Sequence, residues 1–333
     1  MIGDTAVLEN CLQPLRRHLE QPEVTELVIN RPGEFAVEST AGWSWVDAPE
    51  MTEEVLKRLA ITAAAVTQQD VTAETPICST VLPSGERCQV VLPPAAERIS
   101  VTLRKPAERA LRLEDFAAAG LFDGVAVANG TLKPEETQLL ALRDAGDWPA
   151  FFATAVKARK NILISGATGS GKTTFAKGLI PLIPEEERLI TIEDARELVV
   201  PHRNAVHLLY AKDGQGLSRV GPKELLESAL RMRPNRILLQ ELRDGTAFYY
   251  LRNVNSGHPG SITTIHADSA ALAFEQLTLL VKESEGGRDL ARDDIRSLLH
   301  LLVDVVVQMR RQGGRFRITE VWYEPLRKRA LAA

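Results

Sequence analysis

The sequence predicts an α/β protein whose mostly parallel sheet is covered by helices on both faces, preceded by a smaller α+β domain. Three observations predict it. After Glu135, apolar runs ("NILISG", "RLITIED", "AVHLLY", "RILLQE", "SITTIHA") recur with helical patterns between several of them, as in a sheet buried on both sides. Before about Ala110, β-like runs instead follow one another closely, separated by turn signals. At 333 residues the chain exceeds an ordinary single domain, so two are expected. The division expected is an N-terminal α+β domain over 1–121, a linker over 122–135 and the larger α/β domain over 136–333.

Taken in order, "TELVINRP" alternates Leu27 and Ile29 with polar neighbours, and Pro32-Gly33 turns the chain into "EFAVES". "GWSWVD" places Trp43 and Trp45 on one face of a strand at period two. "EEVLKRLAITAAAVTQ" spaces Val55, Leu56 and Leu59 as a helix with Thr52 as N-cap. "ERCQVVLPP" and "RISVTLRKP" are strands stopped by proline. A short helix over Leu113–Ala119 leads into the Gly- and Asp-rich linker. Helices over Pro134–Arg143 and Trp148–Arg159 follow, and later "KTTFAKGLIPLI" and "GPKELLESALRM" read as helices. "VDVVVQMRRQGGRFRITEVWYE" is a hairpin about Gly313-Gly314.

Composition excludes several function classes. Hydrophobic residues make up 44% and charged residues 25%, as in a folded globular chain. Forty Lys and Arg against 44 Asp and Glu leave a net charge of −4, which gives no global pull toward nucleic acid or anionic lipid. Cys11, Cys78 and Cys88 lack CxxC spacing and read as thiols of a reducing compartment. The charged N-terminus is no signal peptide, and no apolar run approaches the ~18 residues that span a bilayer. A cytoplasmic protein with at most peripheral membrane contact is expected.

The strongest chemical signal is "NILISGATGSGKTTFAKGL". Gly166, Ala167, Thr168, Gly169, Ser170, Gly171, Lys172 and Thr173 satisfy GxxxxGK followed by Ser or Thr, between a β run and a helix. Glycines let backbone N–H groups wrap phosphates, and the helix N-terminus adds a favourable dipole. Lys172 is expected on the β- and γ-phosphates, and Thr173 on Mg²⁺. Hydrolysis needs a carboxylate acting on water, and "RILLQELRD" supplies Glu241 at a strand end. Gln240 precedes it, so a neutral amide stands where many P-loop enzymes carry a magnesium-side Asp. "LITIEDARE" offers Glu193 and Asp194 at another strand end, with Asp194 as the second Mg²⁺ candidate. Helix caps or surface charges are the bland reading of such acids.

The ordered set "GATGSGKTT", "TIED", "LLQELRD" and "SGHPGSITTIHA" resembles the Walker A, Asp-box, Walker B and His-box motifs of the secretion superfamily of P-loop ATPases. Within it the chain is most similar to the traffic ATPase of type IV secretion and conjugation systems. "ELVINRPGEFAVE", "ERCQVVLPP" and "ISVTLRKP" look like that family's N-terminal domain, so the likeness covers nearly the whole chain. The resemblance implies a RecA-like ATPase core, ATP as substrate, Mg²⁺ as cofactor, and a homo-hexamer binding nucleotide between the two domains of one chain. Residue by residue it implies phosphate binding by Gly166 to Thr174 and hydrolytic roles for Glu193 and Glu241. It implies γ-phosphate sensing by His266, with His258 as the segment's earlier, less exposed histidine. Gly257 and Gly260 would permit the strand's tight approach. Arg87 and Arg104, and more weakly Arg98, occupy strands whose arginines meet the phosphates; solvated strand-edge charge is the alternative. Many relatives carry Gly where Gln240 stands.

Other features have plainer readings. His18, His202, His207 and His300 lack ligand spacing and read as surface or packing residues. Arg231 and Arg233 read as helix-end charges, or as groups facing a neighbouring subunit's site. "MRRQGGRFR" reads as a solvated hairpin tip, or as a contact for lipid headgroups or nucleic acid. The leading expectation is a hexameric ATPase whose hydrolysis moves N-terminal against ATPase domains, powering secretion and pilus assembly. It would work with other secretion ATPases and inner-membrane components at the membrane's inner face. A type II secretion or pilus motor is the same-fold alternative, but the CxxC zinc module of many such motors is missing. A nucleic-acid translocase lacks the interleaved basic and aromatic stripes such binding uses. A nucleotide-gated docking module without turnover is the third class.

Overall fold

A computed structural model describes residues 2–106, 112–125, 130–212 and 215–332. The expected linker lies partly outside them. The N-terminal residues, whose sequence drew notice only for its charges, form helix α1 (Ile2–Leu19). Leu8, Leu12, Leu15 and Leu19 recur on one face and are buried, an apolar stripe at helical spacing. Strands β1 (Glu26–Arg31), β2 (Gly33–Ser39) and β3 (Gly42–Ala48) follow as read. In α2 (Glu53–Val66), the Thr52 hydroxyl accepts from the Val55 N–H at 3.3 Å, the expected N-cap.

Strand β4 (Ile77–Val81) is unannounced in the sequence reading, whereas β5 (Arg87–Val91) and β6 (Ser100–Arg104) lie where expected. These strands make one antiparallel sheet in the order β3-β2-β1-β6-β5-β4. Its apolar face joins Leu27, Val90 and Val101 to Leu12 of α1 and Leu56 of α2 in one core.

After α3 (Leu113–Ala118) come α4 (Pro134–Ala145), α5 (Trp148–Lys157), β7 (Ile162–Gly166) and α6 (Lys172–Leu179). Then β8 (Leu189–Glu193), β9 (Ala205–Leu209), α7 (Pro222–Ala229), β10 (Arg236–Leu239), α8 (Thr246–Asn255) and β11 (Ile262–Ile265) alternate. The chain ends in α9 (Ala270–Glu283), α10 (Arg292–Leu302), the hairpin β12 (Val305–Gln312) and β13 (Arg315–Trp322), and α11 (Pro325–Ala332).

Ladders β10-β8-β9 and β11-β7-β12-β13 join through a parallel bridge between Glu241 and Thr264. Along the sheet the order is therefore β13-β12-β7-β11-β10-β8-β9, parallel except for β13. Every residue of β7, β8, β10 and β11 is buried. Leu163, Ile190, Ile237 and Ile265 pack toward α7–α10, whereas Ile162, Ile164, Leu189 and Leu238 pack toward α5 and α6. Helices on both faces explain why these strands read as continuous apolar runs.

The antiparallel sheet docks at the β9 edge of the parallel one. Leu209 N–H donates to Ala95 O at 2.9 Å, and Glu97 N–H to His207 O at 2.9 Å, so an exposed edge is covered. Arg188, completely buried, donates to Asn30 Oδ1 and to Met232 O at 2.8 Å each. Burial pushes its guanidinium down to about 9. Gln89 donates to Ser228 at 2.8 Å, and Arg233 pairs with Glu38. Arg233 thus holds its own N-terminal region. No helix among the described residues is long and apolar enough to cross a membrane.

Candidate active site

β7 delivers the chain into the glycine-rich loop, and Gly171 starts α6 with φ of 92°. A Cβ on Gly171 would lie 2.9 Å from the Phe316 ring, so only glycine fits that turn. No side chain caps α6, which leaves its first-turn N–H groups directed at a ligand. Ser170 Oγ is buried without a hydrogen-bond partner in the same loop. Lys172, nearly buried, donates to Gly166 O at 2.7 Å and Ala167 O at 3.1 Å. Burial lowers its pKa, opposed by the nearby Glu241 charge.

Glu241 follows β10, and its backbone pairs with Thr264 of β11 beside β7. This places Glu241 Oε1 2.8 Å from His266 Nε2, while His266 Nδ1 lies 3.4 Å from Lys172 Nζ. An ammonium has only protons to offer, so Nδ1 accepts and Nε2 carries the proton given to Glu241. Hydrogen bonding assigns this tautomer. P-loop lysine, histidine and acid, all predicted from the sequence, therefore form one array. His258 is elsewhere: half-buried, it bonds the Pro234 backbone, and burial lowers its pKa.

The remaining acids are placed differently from the expectation. β8 is the third strand from β7, roughly 14 Å away at the ordinary spacing of about 4.8 Å per strand. Glu193 is 0% exposed, and its carboxylate accepts from Leu198 N–H (2.7 Å), Glu197 N–H (2.8 Å), Thr191 Oγ1 (2.8 Å) and Arg196 (3.4 Å). Its four acceptor sites are used in holding the next loop, which corrects the hydrolytic role expected for it. Asp194 pairs with Arg243, which also lies 3.9 Å from Glu241. An aspartate so engaged does not fit the Mg²⁺ role expected of it.

Thr173 does fit. It lies half-buried on the first turn of α6, and no side chain among the described residues bonds its hydroxyl. Mg²⁺ commonly takes one or two protein oxygens, with phosphates and waters filling its shell. No cluster of three His, Cys, Asp or Glu among the described residues offers an all-protein cage.

Arg87 and Arg104 are neighbours across β5 and β6. They face a cavity of about 510 Å³ shared with Thr67, Leu230 and Arg231, and Arg104 also pairs with Glu26 at 3.3 Å. Because the N-terminal sheet docks at β9, four strands from β7, the expectation that they meet their own chain's P-loop is not met. Arg98 instead lines a cavity of about 220 Å³ with Arg31, Arg196 and His207. Gly260, at φ of 92°, makes room for Arg236, whose Nη1 would lie 2.6 Å from an added Cβ. Its glycine serves a buried guanidinium, not a phosphate.

The other histidines pack. His202 bonds Ile183 O at 2.9 Å, and the His300 and Phe274 ring centroids are 4.2 Å apart. Sequence reasoning gave Arg243 no role, although it stands two residues after Glu241 in "LLQELRD". It also missed Phe316, over 140 positions from the loop it covers, for which no local signal exists.

The chain matches the profile of the type II/IV secretion system protein family over residues 12–313. It is 51% identical to "Type IV secretion system protein VirB11" of Bartonella quintana, covering 97% of this chain and 95% of that protein. Identity to the protein of that name from Brucella suis is 45%, over 96% and 91% of the two chains. The crystal structure of the VirB11 ATPase from the Brucella suis type IV secretion system, in complex with sulphate, superposes with a TM-score of 0.94. That match has 44% identity and covers 99% and 98% of the two chains. The chain belongs to the type II/IV secretion system protein family.

Proposed function

We propose that this chain is an ATP-hydrolysing motor of a type IV secretion apparatus, working as a homo-hexamer at the inner face of the inner membrane. The observation that carries the reading is the Lys172–His266–Glu241 array beside the P-loop, in a chain similar over its length to VirB11. Residues 166–174 cradle the phosphates of ATP, and Lys172 turns from its carbonyl partners to the β- and γ-oxygens. Thr173 would hold Mg²⁺, which neutralises phosphate charge when bound. Glu241 takes the proton of the attacking water. His266 reports the γ-phosphate, because any group that draws Lys172 away removes the partner of its Nδ1.

Arg87, Arg104 and Arg231 share one cavity away from their own P-loop. This supports their acting in trans on a neighbouring subunit's nucleotide, where guanidinium groups offset phosphate charge. N-terminal domains then move against ATPase domains, with other secretion ATPases and inner-membrane components as partners. The test is Glu241→Gln in the purified full chain. Hydrolysis is expected to fall by about 10²–10⁴-fold with ATP binding and ring assembly retained; undiminished hydrolysis refutes the assignment.

A further inference from the structure

In "VDVVVQMRR" an amide interrupts an apolar run. Gln308 stands in β12 and is 1% exposed, with its Oε1 buried and unpartnered. Burying an amide without its full set of hydrogen bonds costs stability, so its presence there calls for a purpose. Its Nε2 donates to Ala267 O at 3.2 Å. Ser165, buried and last but one in β7, donates to the same oxygen at 3.2 Å.

The strand register explains how both reach it. Ile265, Ser165, Gln308 and Glu320 are partners across β11, β7, β12 and β13, so Ser165 and Gln308 stand side by side next to the end of β11. The hairpin also holds the residues that follow. Arg310 Nη2 donates to Asp268 O at 2.9 Å, and Glu320 Oε2 accepts from Ala270 N–H at 3.0 Å. There a carboxylate meets one of the free donors at the start of α9.

His266 lies between two anchorages. On one side Ile265 is fixed by pairing with β7; on the other, residues 267–270 are fixed by Ser165 and the hairpin. The imidazole is 48% exposed, so packing alone does not hold it, and the path of its backbone sets its aim. A shift of the 267–270 segment would carry Nε2 off Glu241 and Nδ1 off Lys172, and hydrogen bonds weaken steeply as their geometry degrades. We propose that Gln308 is a positioning residue for hydrolysis: through it and Arg310, the β12–β13 hairpin aims His266 between Glu241 and Lys172. The inference rests on the role in hydrolysis proposed for His266.

The test is Gln308→Met in the full chain, measured for kcat, KM and equilibrium ATP binding, alone and combined with His266→Ala. Methionine keeps the side chain's length, removes the unmet acceptor and leaves Ser165 on Ala267 O. The variant should therefore melt at or above the wild-type temperature. Its kcat is expected to fall about tenfold, the scale of one lost hydrogen bond, with KM and ATP affinity within about twofold of wild type. In the His266→Ala background the same change should cost nothing further, because the ring it acts through is gone. Arg310→Ala, at an exposed position, carries the same cycle with a loss of about threefold if Gln308→Met does not fold. Unaltered kcat in the folded variant overturns the proposal. So does a fall in ATP affinity matching the fall in turnover, which would place the effect in the P-loop strand. An equal loss in both backgrounds, as damaged folding gives, overturns it too. Wild-type turnover by His266→Ala would instead overturn the role of His266, a separate failure.

Discussion

His266 bridges Glu241 and Lys172: Nε2 is 2.8 Å from the carboxylate and Nδ1 is 3.4 Å from the ammonium. The imidazole is thus polarised from both sides, its single proton directed at Glu241. Under the proposed function, recruitment of Lys172 to phosphate would change the field at Nδ1, and the ring would pass that change to Glu241.

From this relationship, His266→Ala should reduce ATP turnover by about 10²-fold, the scale of losing one oriented polar group in an active site. ATP affinity should stay within a few-fold of wild type. Steady-state hydrolysis and equilibrium nucleotide binding measured side by side check it; normal turnover with greatly weakened binding would contradict it.

Glu193 is expected to behave as a structural residue. Replacing its carboxylate by the amide in Glu193→Gln turns one acceptor oxygen into a donor facing backbone N–H groups. The cost is about 2–3 kcal/mol, the scale of a charge-assisted bond lost and a buried donor left unpaired. Chemical denaturation of the purified chain should show that loss. Hydrolysis per folded molecule should remain near wild type, and a stable but inactive variant would return Glu193 to the catalytic set.

Two interface groups set opposite pH limits. Burial raises Glu26 from 4.5 to about 7; Arg104 at 3.3 Å only partly offsets this because its side chain is mainly solvated. The unfolded carboxyl ionises first, so stability is full below about pH 4.5 and is lost as pH rises through 7, by about 3 kcal/mol. Burial lowers His207 from 6.5 to about 4, with Arg196 adding to it. Its contribution is full above 6.5 and is lost as pH falls toward 4. Glu26→Gln should flatten the alkaline limb of a stability-versus-pH curve and leave the acid limb in place.

If Arg87 acts in trans, Arg87→Ala and Lys172→Ala should each lose most hydrolysis alone. Mixed rings of the two should regain a measurable fraction, since some sites then combine an intact P-loop with an intact neighbour's arginine. Mixing purified variants under subunit exchange and measuring phosphate release checks this. Activity no higher than the average of the parents would place Arg87 outside the site.

The fold was legible because most of its strands carry a strong local signal. β7, β8, β10 and β11 are buried on both faces, so they read as uninterrupted apolar runs, and the Thr52 cap and Gly313-Gly314 turn follow from backbone chemistry. α1 escaped notice because charged residues mask a stripe of leucines. β4, "ICSTV", alternates in burial, but its inward residues are Cys78 and Thr80 while Ile77 and Val81 face outward, so the apolar pattern does not mark it, and it pairs with β5.

By itself the sequence determined the chemical parts: the P-loop, Glu241, His266 and their order on parallel strands. All are local patterns whose meaning survives without knowing what lies beside them. Only the tertiary structure decided which parts meet. Strand order put β11 between β7 and β10, joining His266 to Lys172 and Glu241, while the backbone N–H groups of Glu197 and Leu198 took up the Glu193 carboxylate. Docking of the N-terminal sheet on the β9 edge turned Arg87 and Arg104 away from their own P-loop, and the hairpin brought Phe316 onto Gly171. Such neighbours are set by hydrogen-bonded pairing and by burial of apolar faces between segments far apart in the chain, which no window of sequence contains.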